Sequence, residues 1–365
     1  MVSRKERAFG IFDSFAIESK VESLEPWGAG HINDTFSVTT QNGEHFCLQC
    51  VNQNVFHDVP STMENIERVT THIRKKVVAR GGDVEREVLT LVPTKEDKHY
   101  VVDEDGDFWR VYNFVKKAQV FDVFEDPAVI EGAAKAFGQF QNDLADLEGA
   151  RLHETIPAFH DTPKRYGDFL AAIERDEVNR KANVVAEIEF IRRRADQMGT
   201  IVDGMSLGEI PERVTHNDTK MNNVLFDEET NECLCVIDLD TVMPGSSLYD
   251  FGDAVRFGAS TAAEDEVDLS RVSLSLVRFE MLARGYLSVA SAFLVPAERD
   301  LLSFSCRLIT LECGMRFLTD HLEGDKYFKT RHDGHNLDRC RTQLRMVADM
   351  EEKHDTMETI VAKYL

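Results

Sequence analysis

The sequence predicts an α+β protein with two lobes, a small β-rich N-terminal lobe and a larger, mostly helical C-terminal lobe. Its 365 residues are more than one hydrophobic core usually supports. Short β-favouring segments separated by turn residues dominate as far as Val115, whereas apolar residues recur at helical spacing after Asp126-Pro127. We therefore expect the N-terminal lobe to span residues 1–115 and the C-terminal lobe to span residues 116–365.

The N-terminal lobe is expected to hold a leading helix, a sheet and one long helix. Apolar residues at helical spacing within residues 1–18 predict the leading helix. Ser61 and Glu64 form a capping-box pattern that predicts a second helix starting near Pro60. Alternating or β-branched runs predict strands at residues 21–27, 31–40, 45–51, 88–92, 99–102 and 108–115.

A glycine-containing turn between the first two strands is a candidate phosphate-binding loop. Gly28 and Gly30 would let the backbone approach a phosphate closely, and Asn33 or the amides around His31 would donate to it. The last predicted strand carries Tyr112 and Phe114 into a polar break. Its main-chain groups are candidates for holding an adenine edge.

The helical lobe contains a short embedded hairpin that carries the strongest candidate site. Residues 224–226 and 233–237 read as two antiparallel strands, which would return Asp238 to the side of Asn223. Two oxygen ligands at that distance suit Mg²⁺, and Asp218 in the preceding loop would accept a hydroxyl proton. A base, a magnesium clamp and positioning are what phosphoryl transfer requires. Apolar spacing predicts a helix at residues 126–144, further helices within residues 163–179 and 184–199, and helices at residues 267–293, 298–322 and 336–364.

The acidic residues of this region allow two alternative interpretations. Asp and Asn in loops are most often turn formers or caps, but the full pattern His216-x-Asp218-x-x-x-x-Asn223, followed by a strand and Asp238, is specific. Asp250-Phe251-Gly252 also resembles a magnesium motif. Because it follows a Pro-Gly-Ser-Ser loop rather than a strand, we interpret Asp250 as a helix cap that also braces the catalytic loop.

Composition excludes several classes of partner. The chain has 42 basic and 65 acidic residues, a net charge of −23, which disfavours nucleic acid and anionic membranes. No apolar run reaches the roughly 20 residues of a membrane helix. Seven scattered cysteines predict free thiols in a reducing compartment, so we expect a cytoplasmic protein. We also expect a monomer.

Several motifs together resemble one family. They are Gly30-His31-Ile32-Asn33-Asp34-Thr35-Phe36, Thr215-His216-Asn217-Asp218, Asn223 and Ile237-Asp238-Leu239-Asp240. These segments resemble the aminoglycoside phosphotransferase-like small-molecule kinases, and within them the N-acetylhexosamine 1-kinases. The resemblance implies a bilobal protein-kinase-like fold that uses ATP and Mg²⁺ to phosphorylate the anomeric hydroxyl of an N-acetylhexosamine.

The resemblance also implies a role for individual residues. Asp218 would be the base, Asn223 and Asp238 the magnesium ligands, and His216 and Asp240 supporting residues. The sugar would meet four side chains: His31, Phe257, Glu312 and Arg316. Glu312 and Arg316 lie four residues apart on a predicted helix, so an intrahelical ion pair is the alternative for both.

One departure from the kinase pattern leaves the function open. Kinases usually place a phosphate-binding lysine on the third strand, where this chain has Gln49. A neutral amide supplies no charge, so other groups must hold the nucleotide. Two alternatives therefore remain: a kinase of the same fold for another small alcohol or amino sugar such as an aminoglycoside, homoserine or choline, and a nucleotide-binding pseudokinase.

Overall fold

A computed structural model describes residues 4–28, 32–121 and 124–365, and it divides the chain into two compact units. Unit 1 comprises residues 1–119, 146–157 and 225–243, and unit 2 comprises residues 120–145, 158–224 and 244–365. This division differs from the predicted one at residue 115, because the hairpin within residues 224–236 pairs with a strand at residues 118–119 and so belongs mostly to unit 1. The β-rich first part and helical second part confirm the predicted α+β class.

Unit 1 is built on a five-stranded antiparallel sheet with strand order β1-β2-β3-β5-β4. The strands are β1 (Val21–Pro26), β2 (Asp34–Thr40), β3 (His45–Val51), β4 (Val101–Val102) and β5 (Phe108–Asn113). In the register of β3 with β5, Gln49 lies opposite Arg110 and Cys47 lies opposite Tyr112. These pairs are therefore neighbours on one face of the sheet.

The two faces of this sheet differ in chemistry because successive side chains point to opposite sides. One face is apolar and packs against helix α1 (Arg4–Phe12) through a buried cluster that includes Phe12, Leu48 and Trp109. The other face carries the polar side chains Gln49 and Arg110. The candidate nucleotide residues of β3 and β5 thus lie on the face that α1 does not cover.

Helix α2 (Val59–Ala79) begins earlier than predicted. Its N-cap is Asp58, whose carboxylate accepts hydrogen bonds from Ser61 N and Ser61 Oγ. Pro60 can occupy the first turn because it needs no backbone donor there, so the helix starts before the Ser61-Glu64 pattern. Residues 88–92 form only a bridge from Leu91 to Tyr112, because β4 already occupies the start of that edge of β5.

The predicted hairpin is present, and it forms a three-stranded sheet in the order β6-β8-β9. Its strands are β6 (Ala118–Gln119), β8 (Val224–Asp227) and β9 (Cys233–Val236). Asp227 accepts backbone hydrogen bonds from Glu229 and Thr230, which closes the turn as expected for an Asx-type connection.

Unit 2 is helical apart from a short sheet of two strands. The strands are β7 (Arg213–Thr215) and β10 (Met243–Gly245). The helices are α3 (Pro127–Leu144), α4 (Thr162–Arg175), α5 (Val185–Arg192), α6 (Thr200–Ser206), α7 (Ser247–Gly258), α8 (Leu276–Ala290), α9 (Pro296–Asp300), α10 (Leu302–Glu323), α11 (His335–Glu352) and α12 (His354–Ala362). Helices α3 and α8 pack closely, since a Cβ at Gly285 would overlap the Glu131 carbonyl oxygen.

Some predicted helical segments are shorter or more divided than their apolar patterns suggested. The segment 267–293 becomes helical only at Leu276, because Ser275 caps it by accepting from Arg278 N. The segment 184–199 contains α5 and a separate 3₁₀ turn, and the segment 336–364 divides at Lys353 into α11 and α12. Within the described ranges, the longest apolar stretch of any helix is too short to cross a membrane.

Candidate active site

The predicted catalytic loop follows β7 and is held in a specific conformation. His216 is fully buried, and its ring makes edge contacts with Phe137 and Phe140 at centroid distances of 5.6 and 5.8 Å. Asn217 has a φ of 65°, a left-handed conformation that asparagine adopts more readily than most residues. The next residue, Asp218, is partly exposed. His216 therefore anchors the loop, and the left-handed residue turns the chain at the position of the predicted base.

Asp250 on α7 fixes the backbone of this loop. Its two carboxylate oxygens accept from His216 N at 2.9 Å and Asn217 N at 2.7 Å. Gln141 Nε2 donates to the same carboxylate at 2.6 Å, and Thr219 Oγ1 donates to the Asp250 carbonyl at 2.6 Å. Burial raises the pKa of Asp250 above its usual range, although these donors oppose the increase. The predicted bracing contact is thus present in the structure.

The related prediction that Asp250 caps a helix is wrong. Helix α7 begins at Ser247, and Ser246 is the N-cap, with its hydroxyl accepting from Leu248 N. Asp250 lies inside the first turn, so its side chain is directed at the catalytic loop rather than at its own helix start.

Two polar side chains contact Asp218 within unit 2. Asn223 Nδ2 donates to the Asp218 carbonyl at 2.9 Å and to its Oδ2 at 3.2 Å, while Lys220 Nζ lies 3.2 Å from Oδ1. Because the amide nitrogen of Asn223 is committed to Asp218, its Oδ1 is the atom that suits a cation. The donor set fits Mg²⁺, which binds amide and carboxylate oxygens and retains phosphate or water ligands.

The surroundings of Asp218 favour its ionised form. Burial by itself would raise its pKa, but the positive charge of Lys220 and the hydrogen bond from its ammonium group hold the pKa below its usual range. The same ion pair raises the pKa of Lys220. A carboxylate that is charged and oriented can accept a proton from a hydroxyl group.

The second predicted metal ligand, Asp238, lies in unit 1 just after β9. It is exposed and has a φ of 59°, and a 3₁₀ turn (Leu239–Thr241) follows it. Among the residues that the structure describes, no group of three or more His, Cys, Asp or Glu side chains is arranged to hold a metal. The two predicted metal ligands thus belong to different units, Asn223 to unit 2 and Asp238 to unit 1.

Asp240 is buried and paired with an arginine that was not predicted. Arg110 Nη1 and Nη2 both donate to its carboxylate, the second at 2.9 Å, and each of the two residues is 1% exposed. Arg110 also donates to Gln49 Oε1 from Nε at 3.0 Å and from Nη2 at 2.8 Å. Gln49, at the place of the usual lysine, therefore contacts an arginine cation on the neighbouring strand.

The other residues predicted to bind the nucleotide lie in the turn after β1, at the start of β2 and at the end of β5. Gly28 has a φ of 79°, which agrees with a glycine-dependent turn, whereas Gly30 and His31 lie outside the described residues. Asn33 Nδ2 donates to Asp240 at 2.6 Å. Tyr112 is buried with Arg110 5.2 Å from its ring centroid, and Phe114 is half-buried beside Trp27 with the ring centroids 6.0 Å apart.

The polar break after β5 is partly occupied by an intramolecular contact. Arg86 donates from Nε to the Lys116 carbonyl at 3.1 Å and from Nη2 to the Lys117 carbonyl at 2.8 Å. These two carbonyl groups already accept hydrogen bonds, so an adenine edge would need main-chain groups nearer to Phe114.

Glu312 does not form the intrahelical ion pair that its spacing suggested. Its carboxylate accepts from Thr162 Oγ1 at 2.5 Å, and its second oxygen lies 2.8 Å from His160 Nδ1. The other ring nitrogen of His160 lies 3.4 Å from the Asn217 carbonyl oxygen. Glu312 is 1% exposed, so it supports the catalytic loop through His160 instead of lining a pocket.

Arg316 and Phe257, both predicted to contact sugar, lie among aromatic side chains in unit 2. The Arg316 guanidinium carbon is 4.9 Å from the ring centroid of Phe159 and 5.6 Å from that of Phe328. Arg316 lines a cavity of about 260 Å³. Phe257 is half-buried and makes an edge contact with Phe124 at 6.5 Å.

Three residues at these sites were missed by the sequence analysis. Lys220 carries a detectable signal, because it lies two residues after Asp218 within the same loop. Arg110 and His160 carry none, since their partners lie 130 and 152 residues away in the chain. Their contacts become visible only in the folded structure.

Comparisons with known proteins identify the family of this chain and structures with a similar fold. The profile of the phosphotransferase enzyme family (APH) matches residues 23–281, more than two thirds of the chain. Similar solved structures include an aminoglycoside phosphotransferase from Alicyclobacillus acidocaldarius, with 12% identity over 98% of this chain and 97% of that one and a TM-score of 0.60. A microcompartment-associated aminopropanol kinase has 17% identity over 95% and 96% of the two chains and a TM-score of 0.57.

A third similar structure was solved with a nucleotide analogue. It is an amicoumacin kinase in complex with AMP-PNP and Ca²⁺, with 12% identity over 89% of this chain and 88% of that one and a TM-score of 0.56. At these identities the structures show a common fold, and the fold class inferred from the kinase resemblance is confirmed. The family match, over a region that includes the catalytic loop and the hairpin, shows that this chain belongs to the phosphotransferase enzyme family.

Proposed function

We propose that this protein is an ATP- and Mg²⁺-dependent kinase that phosphorylates the anomeric hydroxyl of an N-acetylhexosamine. The proposal rests mainly on the environment of Asp218. This carboxylate is partly exposed, its loop is fixed by Asp250, and Lys220 stabilises its negative charge. ATP is the proposed donor because a similar structure binds AMP-PNP. The sugar assignment rests on the sequence resemblance and on the cavity at Arg316.

In the proposed reaction Asp218 accepts the proton of the sugar hydroxyl as phosphoryl transfer proceeds. Asn223 orients the base by donating to its Oδ2. Lys220 contacts the other carboxylate oxygen, and we assign it the role of donating to a phosphoryl oxygen during the transfer. Electrostatic positioning of this kind accounts for most catalysis of phosphoryl transfer.

Asn223 Oδ1 and the Asp238 carboxylate are the proposed magnesium ligands. The support is the hairpin, since Asn223 directly precedes β8 and Asp238 follows β9 by two residues. Antiparallel neighbours return the chain to the level from which it started. The bound ion would neutralise charge on the phosphate oxygens.

The side chains lining the cavity at Arg316 suit an acceptor that carries an acetamido group. Three carboxylates of the cavity already have partners: Asp168 with Lys164, Glu323 with Arg175, and Asp320 with the backbone N–H groups of residues 326–328. Its three guanidinium groups, those of Arg165, Arg175 and Arg316, balance the three carboxylates in number. The Arg316 guanidinium would donate to the carbonyl of an acetamido group.

A coupled ADP-release assay over a panel of acceptors tests the proposal. We expect turnover with N-acetylglucosamine or N-acetylgalactosamine and product phosphorylated at C1, as identified by ³¹P NMR. The same assay includes glucose, galactose, choline, homoserine and an aminoglycoside. Preferred turnover of an amine would reassign the substrate, and nucleotide binding without ADP release from any acceptor would favour a pseudokinase.

Replacing Arg316 with alanine is expected to raise the sugar KM at least about tenfold, while the ATP KM changes less than about twofold. The reason is the loss of a charged donor from the proposed acetamido contact. Arg307 is the matched control, because it lies nine residues earlier on the opposite side of α10 and also stacks on a phenylalanine, at 4.9 Å. Steady-state kinetics give the sugar KM of both alanine variants. If the two substitutions raise this KM equally, Arg316 is not part of the sugar site.

A further inference from the structure

The polar face of the unit 1 sheet carries a buried ion pair whose hydrogen bonds are complete. Arg110 has five N–H donors. Nε contacts Gln49, Nη2 contacts Gln49 and Asp240, and Nη1 contacts Asp240 and the Met63 sulfur. All five donors are therefore engaged within the protein. The arginine cannot serve as a direct substitute for a phosphate-binding lysine without breaking these contacts.

The same pair joins segments that the proposed function needs to hold together. Asp240 lies two residues after Asp238, and its Oδ2 accepts from Asn33 Nδ2 at 2.6 Å. Asn33 Oδ1 in turn accepts from Asn52 N at 3.0 Å, just after β3. We call residues 238–241 the metal loop. The Arg110 guanidinium thus connects strands β3 and β5 to the metal loop and, through Asp240, to the Asn33 end of the predicted nucleotide loop.

Stability alone does not explain a pair of this kind. Desolvating two charges is costly, and replacing a buried ion pair by apolar residues of similar size is often neutral or stabilising. What such a pair provides is a fixed geometry, because two parallel N–H···O bonds define both distance and orientation. Asp238 has a left-handed backbone next to this anchor, so its direction depends on where the 3₁₀ turn is held.

We propose that Arg110, oriented by Gln49, is a positioning residue that sets the metal loop and the Asn33 end of the nucleotide loop relative to each other. In this chain the strand-three glutamine therefore holds an arginine that acts on protein groups, instead of a lysine that acts on phosphate. The inference rests on the proposed function, because it assigns Asp238 to the metal-nucleotide complex. Arg110 itself contacts neither the nucleotide nor the metal.

The test measures binding of a fluorescent ADP analogue with and without Mg²⁺, together with thermal unfolding. The main variant is the double substitution Arg110→Met with Asp240→Leu, which removes the pair without leaving one charge buried. We expect its melting temperature to stay close to that of the wild type. We also expect the Mg²⁺-dependent gain in nucleotide affinity to fall at least about tenfold.

Two further variants keep the test decisive if the double variant does not fold. Gln49→Leu retains the ion pair but removes the acceptor that orients Arg110, and Asn33→Ala removes the connection to the nucleotide loop. Each is expected to raise the Mg·ATP KM more than it lowers kcat, and Arg110→Lys is not expected to rescue binding because it lacks the planar fork.

Arg7→Met is the matched control. Arg7 also pairs with acidic side chains in unit 1, Asp103 and Asp107. It lies near Trp109, on the opposite face of β5 from Arg110. Nucleotide binding should not respond to this change. Unaltered Mg²⁺ dependence in the folded double variant and in Gln49→Leu would overturn the inference.

The readout also separates this inference from the proposed function. Nucleotide binding needs no sugar, so a wild-type protein that phosphorylates none of the acceptors can still show or lack the Arg110 effect. If the wild type phosphorylates no acceptor but the variants lose the Mg²⁺-dependent gain in nucleotide affinity, the positioning role is supported and the proposed kinase activity is not. An active wild type with unaffected variants would reject the positioning role alone.

Discussion

Replacing Asp218 with asparagine is expected to lower kcat by about 10²-fold to 10⁴-fold, the usual contribution of a positioned base. The substitution keeps the size of the side chain and its contact with Asn223, but it removes the oxygen that accepts the proton. It also breaks the ion pair with Lys220. Because that pair is partly exposed, the free energy of unfolding should change by no more than about 1 kcal/mol.

Three measurements on the Asp218→Asn variant separate catalysis from binding and folding. Single-turnover ADP formation reports the chemical step, the fluorescent ADP analogue reports nucleotide affinity, and urea unfolding reports stability. We expect a large loss in the first and small changes in the other two. Turnover within a few-fold of the wild type would exclude Asp218 as the base, even if the protein proved to be a kinase.

The parts of the site that could be predicted from sequence are those formed by neighbours in the chain. The catalytic loop and the hairpin depend on residues less than about 25 positions apart. The hairpin turn is specified by Asp227, which accepts hydrogen bonds from the two backbone N–H groups of Glu229 and Thr230. The gap between Asp218 and Asn223 is likewise closed by local structure, a 3₁₀ turn (Met221–Asn223). Local patterns therefore sufficed to identify the candidate base.

The supporting contacts could not be predicted because they join distant segments. The pattern of Glu312 and Arg316 suggested an ion pair on one helix, but burial of Glu312 made hydrogen bonds to Thr162 and His160 more favourable. Gln49 stands where a charged residue was expected, and its amide oxygen accepts from Arg110 on the paired strand, whose guanidinium is itself paired with Asp240. The pairing of β3 with β5 determines that proximity, because the two residues lie 61 positions apart in the chain.

Helix starts were mispredicted for a different reason. Asp58 and Ser61 both suit an N-cap, as do Ser246 and Asp250, and each pair lies within one turn. Propensity alone does not choose between such candidates. Tertiary contacts do, since Asp250 is bound to the catalytic loop and Ser246 is left to cap α7.

The largest combined effect on folding and activity is expected for Asp250→Ala. The change leaves the backbone N–H groups of His216 and Asn217 buried without their acceptor, and each such group costs about 1–3 kcal/mol. We therefore expect the free energy of unfolding to fall by about 2–6 kcal/mol. The turn at Asn217 should also relax, and an error of about 1 Å at the base can lower kcat by about 10²-fold.

Asp250→Asn distinguishes the two consequences because it retains one acceptor oxygen and removes a charge that burial disfavours. It should lose less stability than the alanine variant but still lower kcat, since one of the two N–H groups faces an amide nitrogen. Asp349→Asn is the matched control: it is also a buried carboxylate of unit 2, and it accepts from Leu274 N at 2.6 Å. Urea unfolding and kcat are measured on all three variants. We expect every variant to lose stability but only the two Asp250 variants to lose kcat. An equal kcat for Asp250→Asn and the wild type would mean that the loop keeps its geometry without this carboxylate.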